Sequence, residues 1–193
     1  GEAQAAYARA LGAVLAERAA AELDPESSAS MWRYLAELRR DTLKDPGSAV
    51  QAFERAVDVW PEDVEALQSL AALHATAGAD DARYAALERF EMVSTDEDAR
   101  VEALLTMADI ASRQGESDKA EASLRRVLEV LPQHEEALNA LRHMFRELER
   151  WDDLIDILDA LIGASDSPEA QRELWEERGS VALQSQNAPD DAL

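Results

Sequence analysis

Cysteine is absent from the 193 residues, so the chain has no disulfide framework, no thiolate zinc site and no cysteine nucleophile. Seven Gly and six Pro are too few for a loop-rich all-β chain. Lysine is nearly missing: Lys44 and Lys119 are the only two, and 19 basic residues face 41 acidic ones for a net charge of −22. That balance disfavours nucleic acid and anionic membrane as partners, because both need a basic surface. No run reaches the ~18 consecutive apolar residues that cross a bilayer, and no basic, apolar, small-residue leader is visible. Cytoplasmic is therefore the default expectation for location, with no membrane insertion. The chain starts Gly1-Glu2 without Met and ends Asp191-Ala192-Leu193, which reads as a piece of a longer protein. Abundant Ala and a preference for Arg over Lys point to a GC-rich bacterial source.

What is present is helical. Apolar residues make up 47 %, enough for a core. Ala, Leu, Glu, Arg and Gln dominate, and these are strong helix formers. Apolar residues recur at three and four: Leu67, Leu70, Ala71 and His74; Leu104, Met107, Ala108 and Ala111; Leu154, Leu158, Leu161 and Ile162. Breakers come at short intervals, at Pro25, Asp45-Pro46-Gly47, Pro61, Gly78, Gly115, Pro132, Pro168 and Pro189. The spacing predicts helices of about a dozen residues joined by short loops, so that neighbours run antiparallel.

The pattern repeats. Pro61 and Pro132 lie 71 residues apart, and the same offset carries Ala66 onto Ala137, Leu67 onto Leu138 and Leu70 onto Leu141. Pro follows Trp by 14 positions both at Trp32–Pro46 and at Trp175–Pro189, with Ala49 and Ala192 three residues beyond. The period resolves into helix pairs of ~35 residues, each too small to bury its apolar stripe alone, so stacked pairs share one core.

The residues 101–134 resemble a tetratricopeptide repeat: Leu104, Met107, Ala108, Gly115, Ala120, Leu124, Val127 and Pro132 stand at its signature positions. Trp32, Leu35, Ala36, Ala49, Phe53, Ala56 and Pro61 mark another such unit, with one extra residue in the Asp45-Pro46-Gly47 turn. The resemblance implies an all-α fold, a right-handed α-solenoid of antiparallel helix pairs. Its expected division is a truncated leading helix at 2–24 and units at 30–63, 64–98 (degenerate in its second helix), 99–134, 135–168 and, partially, 169–193. Small residues at Ala36, Ala71 and Ala108 sit where two helices approach closely; the fourth unit puts Arg142 at that position. Ser94 and Glu97 have capping-box spacing ahead of a helix.

No catalytic set emerges. There is no glycine-rich phosphate loop and no Gly-x-Ser-x-Gly. His134 and His143 straddle a helix start and do not share a face, and His74 reads as packing rather than as a ligand. Asp152, Asp156 and Asp159 share one helix face; a cation or basic-partner site competes there with a solvated helix start, which is the preferred reading. Trp32 and Trp175 stand at repeat-core positions, so core packing is preferred over an aromatic cage. No metal and no cofactor is expected.

By resemblance, first helices line a concave groove that binds a peptide or helix of a partner protein. The groove positions implied are Arg33, Glu37, Arg40, Gln68, Ala72, Leu105, Asp109, Arg113, Asn139, His143 and Arg146. Chaperone-binding members of the family clamp a C-terminal carboxylate with Lys and Asn at the fifth and ninth positions. Here the fifth are Arg33, Gln68, Leu105 and Asn139 and the ninth Glu37, Ala72, Asp109 and His143, so that clamp is absent. Acids in the groove favour a basic partner, whereas Arg40, Arg113 and Arg146 offer anchors for acidic groups; the pattern leaves both open.

The expected function is thus a non-catalytic interaction scaffold. The alternatives are a helical accessory domain of a larger enzyme and a self-associating spacer, the latter through an apolar face bearing Leu174, Trp175, Val181 and Leu183 next to the second helix expected from Asp190 onward. The close-approach assignment is testable: Ala108→Trp is expected to lower stability by about 3 kcal/mol or more through overpacking, read as a drop in thermal midpoint.

Overall fold

The computed structural model describes residues 2–187. Their regular elements are all helical: α1 (Glu2–Ala21), α2 (Pro25–Glu37) continued by a π-helical turn (Leu38–Thr42), α3 (Pro46–Val59), α4 (Val64–Ala77), α5 (Asp80–Val93), α6 (Glu97–Gln114), α7 (Ser117–Val130), α8 (Glu135–Glu147), α9 (Trp151–Ala164) and α10 (Pro168–Asn187). Loops of two to four residues join them. The chain divides into two compact units, Gly1–Ala103 and Leu104–Leu193, the boundary falling inside α6. In the first, α1 packs on α2, α2 on α3, α3 on α4 and α4 on α5; in the second, α7 packs on α8, α8 on α9 and α9 on α10. Most helices have 13 or 14 residues, but α1, α6 and α10 run to 18–20, longer than the breaker spacing predicts. Pro189, Ala192 and the helix expected from Asp190 lie outside the described residues.

The predicted stripes are the core. Leu35, Ala36, Ala49, Ala52, Phe53, Ala56, Val57, Ala66 and Leu67 are 0–1 % exposed and form one cluster in the first unit, with Trp32 and Trp60 packed half-buried against it. In the second unit Phe145, Leu138, Leu141, Leu154 and Leu158 are fully buried, and Ala108 is 4 % exposed. A buried Leu or Phe contributes roughly 1.5–3 kcal/mol, more than a helix cap's ~1 kcal/mol, so the stripes decide that the pairs form and the caps decide where each helix begins. Small residues set the spacing. At Gly12 of α1 an added Cβ would lie 3.2 Å from Leu35 Cδ1, which holds α1 close to α2.

The helix starts follow short-range chemistry. Asp24, Asp45 and Asp63 accept hydrogen bonds from the backbone N–H of Ser27, Ser48 and Ala66 at 2.9–3.0 Å, and His134 Nδ1 accepts from Ala137 N–H at 3.3 Å. Pro25 and Pro46 follow their caps directly, where a missing N–H does no harm. Hydrogen bonds from Ser27 and Ser48 hold the Asp24 and Asp45 carboxyls below their ordinary pKa. At α6 the expected cap is corrected: Asp96, not Ser94, accepts from Ala99 N–H at 3.1 Å. Ser94 ends α5, and its hydroxyl instead accepts from Asp96 N–H at 3.2 Å.

A left-handed residue stands before the second helix of each pair: Lys44 (φ 54°), Gly78 (66°), Gly115 (76°) and Glu149 (53°). Eleven residues separate Leu67 from Gly78, Leu104 from Gly115 and Leu138 from Glu149, but twelve separate Trp32 from Lys44. The extra residue is not in the Asp45-Pro46-Gly47 turn, as the sequence reading has it. It is taken up earlier, in the π turn, where Leu43 N–H reaches back five residues to Leu38 C=O at 3.2 Å.

Trp175 is a further correction. It is 54 % exposed, with the Arg178 guanidinium 5.6 Å from its ring centre. The packed stripe of α10 runs through Gln171, Leu174, Arg178 and buried Val181, spaced three, four and three apart; Trp175 is one position off it.

In the second unit the Phe145 ring lies beneath two guanidinium groups, Arg125 at 5.5 Å and Arg150 at 4.5 Å. Both cations are bound by Glu121 and Asp153, which ties α7 to the start of α9. Burial pushes the Glu121 carboxyl up, but hydrogen bonds from Arg150 and Arg125 outweigh it and hold the pKa below the ordinary 4.5.

Two outcomes follow. Asp63→Ala removes the α4 cap and a 2.8 Å bond from Arg33 at a buried position, and is expected to destabilise by about 2–3 kcal/mol in urea unfolding. Because the folded pKa of Glu121 is depressed, its stabilisation is present above 4.5 and disappears as pH falls through the folded value. The thermal-midpoint gap between wild type and Glu121→Gln is therefore expected to narrow from pH 7 to pH 3.

Candidate functional site

The residues expected to line a groove lie on α2 with its π turn, α4, α6 and α8. Each of these helices buries one stripe and turns the opposite side outward. Gln68 and Ala72 of α4 are exposed, as are Asp109 and Arg113 of α6 and Asn139, His143 and Arg146 of α8. Arg33, Glu37, Arg40 and Leu105 are half-buried. In the first unit Arg33 connects α2 to the beginning of α4: its Nη1 lies 2.8 Å from Asp63 Oδ1 and 2.9 Å from Glu65 Oε2. Arg40 donates through Nε and Nη2 to both oxygens of Asp41 at 2.8 and 2.9 Å, and lies 5.9 Å from the Phe53 ring centre. That bidentate bond holds the Asp41 carboxyl below its ordinary pKa.

The second unit treats its cations likewise. Arg113 Nε lies 3.1 Å from Asp109 Oδ2, one helical turn back. Arg142 and Arg146, one turn apart on α8, both donate to Glu177 of α10; the Arg142 Nε bond is 2.9 Å long. Arg142 therefore stands where a small residue is expected because a carboxylate on α10 answers its charge. His143 Nδ1 is 3.5 Å from Glu147 on an exposed part of α8. Every arginine among the expected groove residues thus already faces a carboxylate of its own chain.

Between α8, the end of α9 and the start of α10 lies a cleft of about 580 Å³, bordered by Asn139, Arg142, Leu161, Ala170 and Leu174. Asn139 Nδ2 donates to Glu135 C=O at 3.0 Å, and the α9–α10 turn is fixed by Gln171 Nε2, which donates to Ser165 C=O at 2.6 Å. A smaller cleft of about 220 Å³ lies between α2 and the start of α4, beside Arg33. Sequence reasoning named Asn139 as a groove position and did not anticipate this cleft or its α10 wall. The signal was available in Arg142, whose charge in a packing position calls for an acid on a neighbouring helix.

The acidic face of α9 is mostly engaged. Asp159 binds Arg178 at 2.9 Å, and Asp152 accepts from the Ser185 hydroxyl at 3.2 Å. Among the described residues no group of three or more His, Asp or Glu side chains is placed to hold a metal ion, and no helix is long and apolar enough to cross a membrane.

In sequence the chain matches no family model and no curated protein. In structure it is similar to YrrB, described as a TPR protein with an unusual peptide-binding site, at 10 % identity and TM-score 0.51 over 83 % of this chain and 79 % of that one. It is also similar to the MamA protein, at 17 % identity and TM-score 0.50 over 86 % of this chain and 97 % of that one. The fold is that of the tetratricopeptide-repeat proteins, an all-α solenoid of paired helices.

Proposed function

We propose that the protein is a non-catalytic scaffold that binds a peptide or helix of a partner protein through the outward faces of its first helices, α2 and α4 in the first unit and α8 in the second, with Leu105, Asp109 and Arg113 of α6. One observation carries the reading most directly. Side-chain caps at Asp63 and His134 and left-handed turns at Gly78 and Glu149 fix both ends of α4 and α8, while their faces present exposed polar side chains such as Gln68, Asn139 and His143. A rigid face loses little conformational entropy on binding, which is what a recognition surface needs. The description of YrrB as carrying a peptide-binding site agrees with this use of the fold.

Arg33, Arg40, Arg113 and Arg146 enter the proposal differently from the rest. Their carboxylate partners leave them less capacity to anchor an acidic ligand, and Arg33 and Arg146 act as struts to another helix. The groups left to touch a partner are Gln68, Ala72, Leu105, Asn139 and His143, together with the surplus acids.

Photo-crosslinking tests the proposal. A benzophenone amino acid placed singly at Gln68, Ala72, Asn139 and His143, in the protein expressed in its own host, is expected to give discrete adducts. The same probe at Glu54 and Glu88, exposed on α3 and α5, is expected to give none. Adducts of equal yield from both sets, or from the α3 and α5 sites alone, would overturn the assignment.

A further inference from the structure

The cleft between α8, α9 and α10 says what kind of segment it takes, an inference that rests on the scaffold reading above. Its floor is apolar, made by Leu161, Ala164, Ala170 and Leu174. Its rim is acidic: Glu135 comes from the first turn of α8, Asp166 from the α9–α10 loop and Glu173 from α10. All three are exposed, and none has an ion pair or a side-chain hydrogen bond with another described residue. Arg142 is the single cation on the lining, and it is already committed, with Nε and Nη2 on Glu177 and Nη1 at 3.5 Å from Asn139 Oδ1. The rim therefore carries three carboxylates without an ion-pair partner among the described residues beside an apolar strip, in a cleft of about 580 Å³ whose edge also holds Arg142, which shares Glu177 with Arg146.

We propose that this cleft receives a cationic side chain, Arg or Lys, from a basic segment of a partner protein. The aliphatic stem lies on Leu161, Ala170 and Leu174, and the charged head ends among Glu135, Asp166 and Glu173. The two halves of the site select together. An acidic segment meets three like charges. A bare metal ion gains nothing from the apolar floor, and a purely apolar side chain strips water from the rim carboxylates without replacing it.

The test uses a fluorescein-labelled 12-residue peptide of Leu, Ala and Arg, blocked at both ends, and a copy with Glu at every Arg, each titrated against the full chain by anisotropy. The Arg peptide is expected to bind and to weaken about fivefold or more as salt rises from 50 to 300 mM, while the Glu copy shows no binding. The triple variant Glu135→Gln, Asp166→Asn, Glu173→Gln is expected to weaken the Arg peptide about tenfold. A control triple, Glu54→Gln, Asp58→Asn, Glu88→Gln, makes the same change in charge in the other unit and is expected to stay within about twofold of wild type. Equal weakening by both triples shows attraction to net charge alone and overturns the proposal, as does equal binding of the Glu copy or no binding of the Arg peptide. Circular dichroism of both triples establishes that they are folded. If adducts persist at Asn139 and His143 in the host and the cleft triple leaves them unchanged, the scaffold reading stands and the cationic anchor falls; loss of adducts from every first-helix site of the wild type removes the scaffold reading itself.

Discussion

The close approach of helices through alanine is what the rest of the structure depends on. Helices of 13 or 14 residues are marginal alone in water, because nucleation is unfavourable and few hydrogen bonds reward it. They become stable by sharing a core, and a shared core between such short elements needs the backbones near one another. Ala36, Ala49, Ala52, Ala56 and Ala66 provide that approach in the first unit, with Leu35, Phe53 and Leu67 filling the gaps that remain. In the second unit, Ala137 and Leu138 of α8 do the same beside Leu154 and Leu158 of α9. Once spacing is set this way, a two-residue turn such as Gly78-Ala79 suffices to reverse the chain, and the outward sides are held at fixed distances.

Charge is distributed around that frame by a simple rule. The arginines are few, and on the outward faces of α2, α6 and α8 they are bound to carboxylates of another helix, of the preceding turn or, for Arg40, of the adjacent residue. Acids outnumber them by more than two to one, so a surplus of carboxylates remains facing water. Glu91 illustrates the internal use: at 3 % exposure it is held by Arg100 at 2.9 Å, joining the end of α5 to the start of α6. Glu135, Asp166 and Glu173 illustrate the external surplus. The net charge of −22 is therefore not spread evenly in its consequences. Where a carboxylate meets an arginine it sets geometry, and where it does not it sets the sign of what can approach.

Most of the helical architecture was legible from residues alone because it rests on short-range physics. Ala36, Leu67 and Leu104 announce their stripes by spacing, and Gly78 and Gly115 announce their turns by being the residue type that tolerates positive φ. Lys44 and Glu149 occupy the same conformation without that signature, so only register reveals them. Asp96 outcompeted Ser94 as a cap by lying directly before α6. Trp175 shares the register of Trp32 in the sequence pattern, yet one step off the Gln171–Leu174–Arg178–Val181 stripe suffices to expose it. The exposure of Gln68, Asn139 and His143 follows from the stripe spacing, but the pairing of the arginines does not. Which carboxylate meets Arg142 or Arg33 depends on residues 35 and 30 positions away, and no local pattern encodes that distance.

The π turn at Leu38–Thr42 bears on how such a chain can change over generations. A one-residue insertion in an ordinary helix rotates everything beyond it by about 100° and would turn a buried stripe to water. Here the added residue widens a single turn, and Asp45, Pro46 and the alanines of α3 keep their places. Insertion at the end of a pair's first helix is thus close to silent for the rest of the array. Length drift of this kind erodes the recognisable spacing of a repeat while leaving its packing intact, so ancestry fades from the sequence faster than from the fold.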